Sequence, residues 1–279
     1  MPADQKTREL QPPGRPPDFF IKLGGALITD KTQPYTARHE TIARLAREVR
    51  QALAAAPELR LLIGHGSGSF GHWAAHPYGT RAGVTTPAQW RGYAQVAAAA
   101  ARLNRIVTDA FLQANVPVLS LQPSASARCH DGALQHLDIH PIRAALSHGL
   151  TPLVYGDVAL DDVRGGAIIS TEDIFVYLTD HLHPAHILLL SEVEGVLAAN
   201  GLVIPRITGA DLPTLQETLS GSAGVDVTGG MEDKVQRMVH LAQRHPGICV
   251  HILTGTIPGL LTRVLLDTTN VPGTRIERD

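Results

Sequence analysis

"GHGSGSFGH", residues 64–72, follows the apolar run "LRLLIG" (59–64) and sets Gly66, Gly68 and Gly71 in the order G-x-G-x-x-G. That spacing holds a dinucleotide pyrophosphate when it joins strand to helix in a βαβ unit of about 30 residues, with an acidic residue about 20 positions on for the ribose. Here no Asp or Glu occurs between Glu58 and Asp109. No second strand follows at the required distance either: "WAAHPYGTRAGVTT" (73–86) leads into a long helical pattern. A nicotinamide or flavin reading fails on this context. The residues support a glycine turn after a buried strand, whose closely spaced N–H groups can cradle another anion, with His72 ending the turn as a further donor. On this loop alone, a tight turn of purely structural purpose is the competing reading.

Working outward, "FFIKLGG" (19–25), "VPVLSL" (116–121), "TPLVYG" (151–156), "HILLLS" (186–191) and "ICVHIL" (248–253) read as further buried strands. Helical spacing covers 37–56, 87–114, a stretch around 138–148, "TEDIFVYLTDHL" (171–182), 211–220 and 231–244. "ALDDVRGGAIIS" (159–170) reads as a hairpin turning near Asp161–Gly165, and "GTRIE" (273–277) as a strand closing the sheet. Buried strands alternating with amphipathic helices imply an α/β protein with a largely parallel sheet covered on both faces, its binding loops at the carboxyl ends of the strands. The softest boundary is "HLHPAH" (181–186).

With 279 residues the chain buries a full core without staples. Cys129 and Cys249 stand far apart, so no disulfide framework is implied and a reducing compartment is expected. A net charge of -2 gives no general attraction to nucleic acid or anionic membrane. No apolar run approaches the ~20 residues of a bilayer span. "MPADQKTRELQPPGRPPD" (1–18) reads as a polar, disordered tail. A soluble, cytoplasmic protein is expected.

Lysine usage is more informative. Of 24 Lys and Arg, only Lys6, Lys22, Lys31 and Lys234 are lysine. "KLGGALITDK" (22–31) puts Lys22 at a strand end, Gly24 and Gly25 in the turn and Lys31 beyond it; "DVTGGMEDK" (226–234) puts Gly229 and Gly230 before a helix and Lys234 in its first turn. A lysine at a helix start is poor dipole chemistry unless an anion sits there too. Compact ammonium groups beside glycine pairs suit several phosphates meeting, as phosphoryl transfer requires. "CHDGALQHLDIH" (129–140) and "DHLHPAH" (180–186) carry metal-ligand residue types but match no zinc spacing, and read as loop or helix-end histidines, solvated or locally bonded. "TTPAQW" (85–90) needs only to start a helix.

Together "KLGGALITDK", "HGSGSFGH" (65–72), "GDV" (156–158), "LSEVEGV" (190–196), "DVTGGMEDK" and "TGT" (254–256) resemble the amino acid kinase superfamily, and within it the isopentenyl phosphate kinase branch, from about Phe20 onward. The histidine after G-S-F-G points to that branch. The resemblance implies a three-layer αβα sandwich with a mainly parallel sheet. It also implies an acceptor-binding part over 19–184, an ATP-binding part over 185–279 and a homodimer. The activity implied is ATP-dependent conversion of isopentenyl phosphate to isopentenyl diphosphate, with Mg2+ carried by ATP and no metal ligand assigned to the protein. By the same resemblance Lys31 stabilises the transition state with Lys22 and Lys234. Ser67, His72 and Gly156 meet the acceptor, while Lys22, Gly24, Gly25, Gly68, Glu192, Gly230 and Lys234 meet ATP. Three positions depart from the family pattern: Ala26 replaces a common serine, Thr171–Glu172 a Gly-Asp, and Glu192 an Asp. Tyr93, Val96 and Ala97 on the 90–111 helix are expected beside an isoprenoid tail. The alternatives are another small-phosphate or phosphonate kinase of the superfamily, or a non-catalytic nucleotide sensor. An acylphosphate-forming kinase fits less well, because a carboxylate acceptor gives no reason for His72.

Overall fold

The computed structural model describes residues 15–75, 83–213, 215 and 230–279; residues 1–14 of the expected tail, Gly229 and most of the 211–220 helix lie outside them. Asp18, the last residue of that tail, is anchored: its carboxylate accepts from the Arg60 N–H at 2.8 Å.

In chain order the strands are β1 (Phe19–Leu23), β2 (Leu61–His65), β3 (Val118–Ser120), β4 (Arg128–His130), β5 (Ala133–His136), β6 (Thr151–Tyr155), β7 (Asp157–Asp161), β8 (Gly165–Ile169), β9 (His186–Ser191), β10 (Arg206–Ile207), β11 (Cys249–Thr254) and β12 (Thr274–Ile276). The helices are α1 (Gly25–Ile28), α2 (His39–Ala55), α3 (Gly68–Ala75), α4 (Pro87–Gln113), α5 (His140–Ser147), α6 (Thr171–Leu182), α7 (Gly230–Arg244) and α8 (Leu260–Leu266). The central sheet has the order β10-β12-β11-β9-β1-β2-β6-β3 and is parallel except between β11 and β12. A smaller sheet, β5-β4-β7-β8, flanks it.

Burial explains the layers. Every residue of β1, β2, β6 and β11 is buried, as strands covered on both faces require. Along β1, Phe19, Ile21 and Leu23 enter a core with α2, α3, α4 and α8, whereas Phe20 enters the opposite core with α5, α6 and α7. The period of two therefore aims Lys22 toward the α6 side. This is the three-layer αβα arrangement with a mainly parallel sheet. No helix among the described residues is long and apolar enough to cross a membrane.

Three local readings change. "CHDGALQHLDIH" supplies the antiparallel β4–β5 pair rather than loop or helix end. Its Asp131–Gly132 turn has φ of +47° and +83°, the positive pair that a two-residue hairpin demands, so the Asp-Gly signal outranks the histidines. "GTRIE" does supply a strand of the sheet, β12, but it is inserted between β10 and β11 rather than added at the margin. The short helices α1 and α8 carry too few turns for periodicity to announce them. "TTPAQW" does start α4, through a reciprocal cap between Thr86 and Gln89 with proline in the first turn.

Candidate active site

The carboxyl ends of β6, β2, β1, β9 and β11 lie side by side along one edge of the central sheet. Glycine N–H groups continue the ladder past the strands: Gly156 donates to the His65 carbonyl at 3.0 Å, Gly66 to Leu23 at 3.0 Å, Gly24 to Leu190 at 2.9 Å and Gly255 to Ser191 at 2.8 Å. The rim is thus backbone held in register, with no side chains in front of it at these four positions.

Two glycine loops touch at its centre. A Cβ placed on Gly25 would lie 2.7 Å from both the Cα and the N of Gly68, so only glycine lets the ends of β1 and β2 approach this closely. Gly68 itself has φ +48°. The Thr29 hydroxyl locks the crossing, donating to the Gly25 carbonyl at 2.6 Å and accepting the Ser69 N–H at 2.9 Å. Helix α3 starts at Gly68, and the N–H groups of its first turn lack intrahelical acceptors by construction. Because the helix begins so early, His72 does not end a turn; it is the fifth residue of α3 and is exposed.

Lys22 is 7 % exposed, and its Nζ lies 3.0 Å from the Glu172 carboxylate. Glu172 is placed by the start of α6, where Ser170 and Asp173 cap each other reciprocally. Burial raises the Glu172 pKa, but the ammonium groups of Lys22 and Lys234 outweigh it and hold the carboxyl below its ordinary range. Lys234 reaches this point from α7, which is tied to α6 one turn later by the Arg237–Asp173 ion pair. Lys22, Lys234 and Glu172 therefore form one electrostatic unit at the rim. Glu172, read from sequence only as a departure from the family pattern, is its hub.

The remaining expected residues are distributed around that unit. Ser67 lies in the short loop between β2 and α3, and Gly156 follows β6. Gly230 is the first residue of α7. Glu192 follows β9, is exposed and pairs with Arg38 at the start of α2. Lys31 is exposed on the α1–α2 connection, which Thr36 holds to α3 by donating to the Ser69 hydroxyl at 3.3 Å. Along α4, Val96 belongs to the core, whereas Tyr93 and Ala97 are half-buried beside it.

Sequence reasoning missed two polar groups behind the rim. His65 ends β2, fully buried and stacked on Tyr155 with ring centroids 5.5 Å apart. Burial lowers its pKa to about 4, so the ring is neutral at ordinary pH. Its Nε2 lies 3.2 Å from the Asn104 side-chain oxygen. Asp157, next to Gly156, accepts the Ser124 N–H at 3.1 Å, and burial raises its pKa. The only sequence signal was their position at strand ends. Arg44 also supports the rim, bonding the Gly255 carbonyl while it pairs with Glu48 at 2.6 Å.

Residues 19–254 match the profile of the amino acid kinase family. The chain belongs to that family. Among curated relatives, this amino acid kinase is 35% identical over 269 residues to the isopentenyl phosphate kinase of Methanothermobacter thermautotrophicus, covering 92% of this chain and 98% of the relative. It is 36% identical over 248 residues to the isopentenyl phosphate kinase of Haloferax volcanii, covering 87% and 97%. Among solved structures, one described as X-ray structures of isopentenyl phosphate kinase superposes with a TM-score of 0.77 at 31% identity, covering 92% of this chain and 99% of that one.

Two measurements test the site's construction. Gly25→Ala should lower stability by about 1–3 kcal/mol, because the added methyl meets backbone that cannot rotate away; an unchanged Tm would show that the loops are not in contact. Glu172 titrates below its ordinary 4.5, so the stabilisation it gives is complete above that value and is lost as pH falls through the lower folded pKa. Glu172→Gln should cost on the order of 3 kcal/mol at neutral pH by leaving Lys22 without its anion. Its stability should also fall less between neutral and acid pH than that of the parent, which thermal melts across that range would read.

Proposed function

We infer that the chain phosphorylates isopentenyl phosphate to isopentenyl diphosphate with ATP. The observation that carries the reading is the meeting of Lys22 and Lys234 at one carboxylate on a glycine-lined strand edge, in a chain whose near full-length relatives are isopentenyl phosphate kinases.

The acceptor is a phosphate monoester, largely dianionic near neutrality because its second pKa is about 6. It needs no general base to become a nucleophile. The obstacle is electrostatic: a dianion has to approach the γ-phosphate of ATP in line. Catalysis is then charge neutralisation and positioning, which is nearly all that phosphoryl transfer asks of a protein. Lys22 and Lys234 would bind the nucleotide's phosphates, exchanging Glu172 for them, while the glycine turns at Gly24, Gly25 and Gly68 let the transferring oxygens come close to the backbone and the first-turn N–H groups of α3. Lys31 would meet the charge that develops between donor and acceptor. Ser67, His72 and Gly156 would hold the acceptor phosphate, and Glu192 and Gly230 would flank the nucleotide. The acceptor part is proposed to span 19–184 and the ATP part 185–279, with Tyr93 and Ala97 closest to the isoprenoid tail.

The rim fits such ligands chemically, since the first-turn N–H groups of α3, which lack intrahelical acceptors, stand on the same strand edge as two ammonium groups. Magnesium on the nucleotide would supply further neutralisation of the phosphates. Homodimerisation and a cytoplasmic setting belong to the same proposal; they rest on the family resemblance and, for the setting, on two cysteines that are both free.

One assay separates the possible acceptors: ADP release with isopentenyl phosphate, dimethylallyl phosphate, fosfomycin and UMP. Turnover highest with isopentenyl phosphate is expected; ATP binding without turnover of any would make the chain a sensor. Within the reaction, Lys31→Ala should lower kcat by about a hundredfold or more with little change in acceptor KM. His72→Ala should instead raise the acceptor KM. Parental kinetics in both variants would refute the assignments.

A further inference from the structure

The opposite, amino-terminal edge of the sheet carries a second polar cluster that phosphoryl transfer does not use. His186 opens β9 and Cys249 opens β11, and the two are register partners. His251 lies two residues along β11, on the same face by strand alternation. One ligand atom from each, two imidazole nitrogens and the thiol sulfur, all lie within 4.8 Å of one another. His251 is 3 % exposed, yet its Nε2 has no hydrogen-bond partner among the described residues. The Nδ1 of His186 is likewise buried and without one. Each orphaned nitrogen costs about 1–3 kcal/mol unless something fills the space between them.

We propose that His186, Cys249 and His251 form a Zn2+ site, separate from the phosphate rim and from the magnesium that ATP would carry. Two imidazoles and a thiolate are the donor set of a borderline-soft ion, whereas magnesium takes oxygen. Tetrahedral zinc, with bonds of about 2.0–2.3 Å, needs these atoms about 3.3–3.7 Å apart, so rotation about the side-chain bonds has to close a gap of about 1 Å. Burial raises the Cys249 pKa, and binding the ion would release that proton to solvent as the sulfur–metal bond forms. The ring of His186 is fixed by stacking on Phe19, with centroids 5.1 Å apart.

The charge nearby is accounted for. Arg275, the register partner of His251 on β12, carries a positive charge that favours the Cys249 thiolate and would support it from outside the coordination sphere. Its own charge is met by Glu277 at 2.6 Å, which Arg206 shares. With three protein donors, the fourth position falls to water. His186 is part of "DHLHPAH", read from sequence as solvated or locally bonded; its partners lie more than sixty residues away, so no local spacing could show them.

The test uses the whole chain after chelator treatment, with Co2+ as the spectroscopic probe. Expected are one equivalent bound, a sulfur-to-cobalt charge-transfer band with tetrahedral d–d absorption, and bleaching of both by Zn2+ but not by Mg2+. Zn2+ at about a hundred times its Kd should raise the Tm by about 5 °C or more. Cys249→Ser should abolish the charge-transfer band, and His251→Gln should weaken Co2+ binding at least tenfold, with kinase turnover retained in each as the control for folding. Should either variant fail to fold, the parental band and Zn2+-dependent Tm decide alone. No band and no Tm shift in the parent would overturn the proposal and leave a water-filled polar gap. A band that survives Cys249→Ser would overturn it equally, by placing the sulfur at Cys129.

Discussion

An ammonium group cannot be taken out of water without an anion beside it: the effective penalty is several kcal/mol. Lys22 sits on the central strand of a sheet buried on both faces, so the fold must supply that anion, and it does so with Glu172. Much of the edge follows from this requirement. Helix α6 must begin where its first turn meets β1, its cap must be secure, and α7 must come close enough for Lys234 to share the carboxylate. A charge centre held this way is organised by the fold itself. In the proposed reaction, the work of gathering like charges would be done during folding rather than at the moment of transfer.

The second requirement is closeness of backbone. Where β1 and β2 run out, their glycine loops cross with no side chain between them, and one threonine hydroxyl serves both. Oxygens of a phosphate ester are small and numerous, and a surface of peptide N–H groups matches them more closely than long flexible side chains would. Behind this surface His65 is buried, sits beside the Asn104 side chain and is uncharged, so it adds no charge to the edge.

The layered fold was legible because its strands are short apolar runs between amphipathic helices, and the edge was legible because lysine is scarce in this chain and stands beside glycine pairs there. The absence of an acidic residue after the glycine loop correctly turned the reading away from dinucleotides. What stayed hidden was hidden by distance or by brevity. Glu172 looks like an ordinary helix-start acid until Lys22, 150 positions earlier, is seen beside it. The pairing of Glu192 with Arg38 joins segments that no local pattern links. In "CHDGALQHLDIH" the histidines drew attention from the Asp-Gly turn that governs its conformation. The grouping of His186 with Cys249 and His251 exists only through strand register.

The position of β12 has a consequence for biosynthesis. Arg206–Ile207 hydrogen-bonds only to this strand within the sheet, and β12 in turn to β11, so the margin cannot be assembled in the order in which the ribosome makes it. While residues 274–276 remain in the exit tunnel, the outer edge of β11 stays an unpaired template open to other chains. The margin is sealed by β12, one strand in from the edge, only after all the other strands of the sheet have been made.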